Sequence, residues 1–151
     1  MKIVKIDNAG IELITQWEGL KLKPYLCSAG VPTIGYGSTR YEDGTKVKLT
    51  DKDITKERAI ELFKNTIKTY EREVDAYCRD DINQNQFNAL VSFAYNLGCN
   101  ALKNSTLLKK VNNNPSDVSI KNEFMKWIYV GKKPLKGLVN RRTAEVKMYF
   151  E

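Results

Sequence analysis

Three residues of different chemistry, Glu18, Cys27 and Thr33, fall in the short stretch from Gln16 to Gly37, around a glycine-rich turn. Eight residues separate the acid from the thiol and five separate the thiol from the hydroxyl, which opens the run Thr33-Ile34-Gly35-Tyr36-Gly37. Glu18 directly follows Trp17 and lies one helical turn beyond Ile14, so its carboxyl is expected at the end of an apolar helical face, against an indole. Desolvation disfavours the charged form of an acid, and a carboxyl that keeps its proton near neutral pH can give it to the leaving oxygen of a glycosidic bond. Taken singly, the three residues have plainer roles as a solvated acid, a small packed thiol and a strand threonine. Their joint spacing favours chemistry.

The elements that must position them follow from periodicity. Ile11, Leu13, Ile14 and Trp17 recur at helical spacing after a cap at Asp7 or Asn8, so a short first helix over Ala9 to Trp17 delivers Glu18. Pro24 and Gly30 to Pro32 punctuate a segment suited to strands and turns, and Asp43-Gly44 reads as a hairpin turn, which predicts a small antiparallel sheet over about residues 20–49. Caps among Thr50 to Asp53 precede Ala59, Leu62, Phe63, Ile67, Tyr70, Val74 and Tyr77, the apolar face of one long helix. Its other face, with Lys56, Glu57, Glu61, Lys64, Glu71, Arg72 and Glu73, reads as solvated. Gln86 to Gly98 is apolar on nearly every side and belongs in the middle of a helical lobe. Asn104-Ser105 caps the next helix, and Ser116 or Asp117 caps one carrying Val118, Phe124, Trp127 and Ile128, with Trp127 read as core. Gly131 to Gly137 reads as a basic loop, with Arg141 and Arg142 opening the last helix.

Composition narrows the function classes. With 151 residues and 42% apolar content the chain can bury a real core as one compact domain. The net charge of +7 calls for a polyanionic partner, but no zinc-ligand spacing, basic zipper or aromatic RNA-binding signature accompanies it, so nucleic acid has only charge behind it. The absence of histidine excludes Ser/His and Cys/His dyads and the usual zinc hydrolase sites, and neither a metal nor a cofactor is expected. Cys27, Cys78 and Cys99 form no CxxC pair and read as reduced thiols made in a cytosol. The segment from Met1 to Gly10 is too polar for a signal peptide or membrane span.

The acid, eight residues, thiol, five residues, threonine pattern with its Ile-Gly-Tyr-Gly tail resembles the active-site signature of the phage-type lysozymes, in which the middle position is usually Asp and sometimes Cys. Gln86 to Gly98 and Gly137 to Glu145 resemble the family's second and third motifs, so the likeness covers nearly all of the chain after about Ile11. The resemblance implies an α+β, mostly α fold: a single lysozyme-like domain over residues 1–151, with a sheet-bearing lobe over about 12–55. A connecting helix over 55–79 would lead to an all-helical lobe over 81–151, with the glycan cleft between the lobes. It further implies an endolysin that hydrolyses the β-1,4 bond between N-acetylmuramic acid and N-acetylglucosamine in peptidoglycan. Glu18 would be the acid, Cys27 would stand at the base position, and Thr33 would orient the attacking water. Arg141, or alternatively Arg142, would reach back to Glu18, and Thr39, Tyr95 and Ser105 match positions that contact sugar in the family. Ser38 departs from a commoner His and would alter the cleft wall. The partner expected is the glycan strand, met by a monomer without nucleic acid or stable membrane insertion, held in the host cytoplasm until a holin opens a path to the wall. Two rivals are a lytic transglycosylase, which needs a single Glu, and a catalytically inactive wall-binding module.

Overall fold

The computed structural model describes residues 2–151 and is mainly helical, in the order α1 (Asn8–Thr15), β1 (Lys21–Leu26), β2 (Pro32–Gly35), α2 (Lys56–Tyr77), α3 (Gln84–Leu97), α4 (Cys99–Lys103), α5 (Thr106–Asn113), α6 (Ile120–Met125), β3 (Tyr129–Val130), β4 (Lys133–Pro134) and α7 (Lys136–Phe150). These elements divide into two compact units. One is sheet-bearing, Thr15–Thr69; the other is helical and combines the described part of Met1–Ile14 with Tyr70–Glu151. The boundary between them falls within α2.

In the sheet-bearing unit β1 and β2 pair antiparallel, with Tyr25 opposite Thr33 and Leu26 opposite Pro32. The expected sheet does not continue as regular strands to Leu49: beyond β2 the pairing shrinks to isolated bridges, Ile34 with Ser38 and Arg40 with Lys46. The Asp43-Gly44 turn is present, closed by the Gly44 N–H to the Tyr41 carbonyl, and too few flanking residues alternate to extend the ladder beyond it. Ile34, Val47 and Leu62 form the core here, with Tyr41 and Ile54 packed against them and Tyr36 edge-on to Phe63 at 6.2 Å. The cap of α2 is Thr55, whose Oγ1 accepts the Arg58 N–H at 3.1 Å, and not a residue of Thr50 to Asp53. Asp51 instead accepts the Lys48 N–H and the Tyr41 hydroxyl, bracing the turn.

The helical unit is built around α3, as its all-round apolar sequence requires. Phe87, Ala89, Leu90, Val91, Phe93 and Ala94 are all buried, and α7 and α4 pack on it. Asn83 caps α3 in a reciprocal capping box with Gln86, and Gly98 ends it with φ 97°. α1 is capped by Asp7, whose Oδ1 accepts the Gly10 N–H and the Asn88 amide. A Cβ on Gly10 would come within 2.7 Å of Asn88 Oδ1, so the glycine is what permits this approach. Glu71, expected on a solvated face, is 6% exposed because its carboxylate accepts the Ile6 N–H at 2.8 Å. α6 is shorter than expected and leaves Val118 81% exposed, while Trp127 follows the helix and meets Phe93 edge-on at 5.5 Å. The expected basic loop is a hairpin, β3 paired with β4, in which Gly131 takes φ 64°. Gly137 lies inside α7, so Arg141 and Arg142 sit in its second turn and do not open it.

Candidate active site

α1 ends at Thr15, two residues earlier than periodicity predicts, and Gln16, Trp17 and Glu18 form the turn that follows it. Trp17 and Glu18 are both half-buried, and the indole N–H is buried without a hydrogen-bond acceptor. The apolar setting expected for Glu18 is therefore partial.

The five residues from Cys27 to Val31 join β1 to β2. Their turn is closed by the Gly30 N–H to the Cys27 carbonyl at 2.8 Å and by the Cys27 N–H to the Val31 carbonyl at 3.1 Å. Gly30 adopts φ 76°, a left-handed conformation open to glycine at no steric cost. This winding turns the N–H groups of Val31 and Ala29 toward the Cys27 sulfur. Those donors, joined by the Thr33 hydroxyl, hold the Cys27 thiol below its ordinary range and outweigh the opposing effect of desolvation. The other two thiols behave oppositely. Burial pushes Cys78 up to about 12, and burial together with Glu73 does the same to Cys99.

Thr33 is 3% exposed, and its Oγ1 donates to the Val31 carbonyl at 2.8 Å. One hydroxyl carries one proton, so this donor serves either the carbonyl or a thiolate. With Cys27 neutral, the thiol can donate to Oγ1 while the hydroxyl keeps its bond to Val31; a thiolate would compete with that carbonyl for the hydroxyl proton.

Tyr25 is a member of this neighbourhood that the spacing argument missed. Its hydroxyl is pushed up first by desolvation, then by the negative charges of Cys27 and Glu18, so one phenol lies within electrostatic reach of both the acid and the thiol. The signal in the sequence was the register: a strand residue directly across from Thr33 belongs to the same patch.

The sheet-bearing unit thus carries Glu18, Tyr25, Cys27, Thr33 and the exposed Thr39. Ser38, expected to alter the cleft wall, is fully buried, with its hydroxyl 2.8 Å from that of Thr66 on α2. Arg141, Tyr95 and Ser105 belong to the helical unit. Tyr95 is half-buried and meets Tyr70 edge-on at 4.9 Å. Ser105 is a cap: its Oγ accepts the Leu108 N–H and donates to the Leu102 carbonyl, at 4% exposure.

Arg141 is 4% exposed and Arg142 fully buried. Arg141 donates to the Ser92 carbonyl at 3.2 Å and to Glu145 Oε2 at 3.4 Å, while Arg142 Nη2 donates to Asn96 Oδ1 at 2.6 Å. Arg142 Nε stands 2.8 Å from Glu145 Oε1, close enough for an ion pair but out of line for a hydrogen bond. Ser92 donates to Glu145 Oε2 at 2.5 Å, so the cluster ties α3 to α7.

The sequence model of the phage lysozyme family matches residues 15–145. An endolysin of Acyrthosiphon pisum secondary endosymbiont phage 1 is 39% identical over 151 residues, 97% of this chain and 97% of its own. The endolysin of Salmonella phage P22 is 35% identical over 148 residues, covering 98% and 99% respectively. The endolysin of Bacillus phage B103 is 38% identical over 97% of this chain, which spans 54% of that protein's length. Among solved structures, an endolysin from Escherichia coli O157:H7 phage FAHEc1 superposes with a TM-score of 0.85 at 33% identity, covering 100% of this chain and 97% of its own. The family match over most of the chain, relatives of similar length at more than a third identity and a full-length superposition agree, and the chain belongs to the phage lysozyme family.

Proposed function

We propose that the protein is an endolysin that hydrolyses the β-1,4 glycosidic bond between N-acetylmuramic acid and N-acetylglucosamine. Glu18 gives its proton to the glycosidic oxygen as the bond breaks. The Cys27 thiolate accepts a proton from the attacking water, whose oxygen forms the new bond to the anomeric carbon, and the Thr33 hydroxyl orients that water. The family match supports the reaction class, and the observation that supports the role of Cys27 is the set of donors around its sulfur, which favour the thiolate. A passive packing thiol would show the opposite, as Cys78 does. Arg141 completes the reading as the support of Glu18, with Thr39 and Tyr95 as sugar contacts. Ser105 is the weakest of the sugar contacts, because capping already engages its hydroxyl.

No described helix is long and apolar enough to cross a membrane. Passage through a holin lesion as a monomer is the release route proposed. Analysis of product ends tests the reaction class: hydrolysis leaves reducing sugars, whereas 1,6-anhydro ends would turn the assignment into a transglycosylase. A folded Glu18→Gln protein should lose nearly all lysis of peptidoglycan, because an amide has no proton to give.

A further inference from the structure

Beside the reactive loop lies a groove of about 420 Å³, lined by Gly30, Val31, Pro32, Thr39, Arg40 and Lys46. It shares residues 30 and 31 with the loop that winds around the Cys27 sulfur, and Pro32 adjoins Thr33. Arg40 and Lys46 face each other across an isolated antiparallel bridge. Directly opposed like charges on a bridge repel, so an anion seated between this cation pair would be favoured.

The chain's own acids do not supply one. Glu42 is committed to Arg58, with contacts at 2.5 and 2.8 Å, and Asp43 to the N–H and hydroxyl of Thr45. Asp51 is committed to Tyr41 and to the Lys48 N–H. Among the described residues no carboxylate forms an ion pair with Arg40 or Lys46, though three lie within a few residues in sequence. Arg40 Nη1 donates to the Gly44 carbonyl at 2.9 Å, which fixes one edge of the guanidinium against the turn. The rest of its fork remains for a planar acceptor. The groove is also lined by Val31, 42% exposed, and Pro32.

We propose that this groove binds a carboxylate of the peptide stems carried by the wall glycan, with the ion held between Arg40 and Lys46 and an apolar stem side chain against Val31 and Pro32. The identity of the polymer rests on the hydrolase reading above; the preference for a carboxylate rests on the groove alone. A glycan of neutral amino sugars has nothing for two cations to hold, whereas each muramic residue carries its peptide acids near the bond to be cleaved.

Binding can be measured without turnover, in the Glu18→Gln protein, by calorimetry with a soluble stem tetrapeptide, the same peptide with its carboxylates amidated, and a glycerol phosphate oligomer. The proposal expects the free acid to bind about tenfold more tightly than the amide, the scale of one charge-assisted contact, with the preference falling as salt rises. Arg40→Gln and Lys46→Gln should each erase most of that preference. Lys46→Gln provides the check should Arg40→Gln loosen the Gly44 turn. Equal binding of acid and amide, or an unchanged preference in folded Lys46→Gln, would overturn the proposal. Tighter binding of the phosphate oligomer would overturn it in favour of a wall phosphate. None of these outcomes depends on whether the wild-type protein hydrolyses glycan.

Discussion

Replacing Glu145 by Gln would test whether the buried Arg141, Arg142 and Glu145 cluster holds the helical unit together. Glu145 and Arg142 have no exposed surface, and the side chain of Arg141 is 5% exposed. Burial pushes the Glu145 carboxyl up and the Arg142 guanidinium down, and each charge is tolerated because the other stands beside it. Gln keeps the size of Glu and an oxygen for the Ser92 hydroxyl, so the substitution creates no cavity. It does take the carboxylate away from the fully buried Arg142 guanidinium, and breaking a buried pair by removing one partner costs about 3–5 kcal/mol. For a chain of this length about 1 kcal/mol moves Tm by roughly 2–4 °C, so a fall of about 6–20 °C is expected. Thermal and urea unfolding followed by circular dichroism would measure it, with Glu57→Gln on the exposed face of α2 as the control, expected within about 0.5 kcal/mol of wild type. The double variant Arg142→Met, Glu145→Leu should lose less than the sum of its two singles, because it removes the unpaired charge along with its partner. A Glu145→Gln loss below about 1 kcal/mol would mean that the buried pair does not hold the helical unit together.

Further predictions concern single groups. Iodoacetamide at neutral pH should modify Cys27 and spare Cys78 and Cys99, and the rate at Cys27 should rise with pH to a midpoint below that of an ordinary thiol; peptide mapping would score it. Thr33→Val should move that midpoint upward only part of the way, since the Val31 and Ala29 N–H groups remain. The Arg58 guanidinium holds Glu42 at about 2, below its ordinary 4.5. The sign follows: a depressed folded value gives stability that is present above the unfolded pKa and lost as pH falls through about 2. Both side chains are about a third or more exposed, so the pair is worth about 0.5–1 kcal/mol after solvent screening. Glu42→Gln should therefore be slightly less stable than wild type at neutral pH and equal to it below about pH 2, read from urea midpoints.

Residue order made some of this legible and hid the rest for physical reasons. The long helix and the all-apolar α3 announce themselves because helical periodicity over four to six turns leaves no competing solution. The β1–β2 turn was legible through Gly30. The buried Glu71 was not, because its partner is the N–H of Ile6, 65 positions away, and no local pattern distinguishes an acid that faces solvent from one that anchors a distant strand of chain. The burial of Ser38 was hidden for the same reason: its hydroxyl is taken up by Thr66, 28 residues on. The hairpin around Gly131 has strands of two residues, too short for alternation to register, so it reads as a loop. Within the site, spacing picked out Glu18, Cys27 and Thr33 but passed over Tyr25, which joins them only through strand register.

Cys27 is proposed to work as a base supported by Thr33, alongside the acid Glu18. Its most direct test is lysis of peptidoglycan by folded Cys27→Asp and Cys27→Ala proteins, measured side by side with their unfolding midpoints. Asp, which restores a base in a turn already lined with N–H donors, should retain activity, and Ala should lose most of it while remaining as stable as wild type. An active Cys27→Ala beside an unfolded Cys27→Asp would contradict it, leaving Cys27 a packing residue and Glu18 the sole working acid.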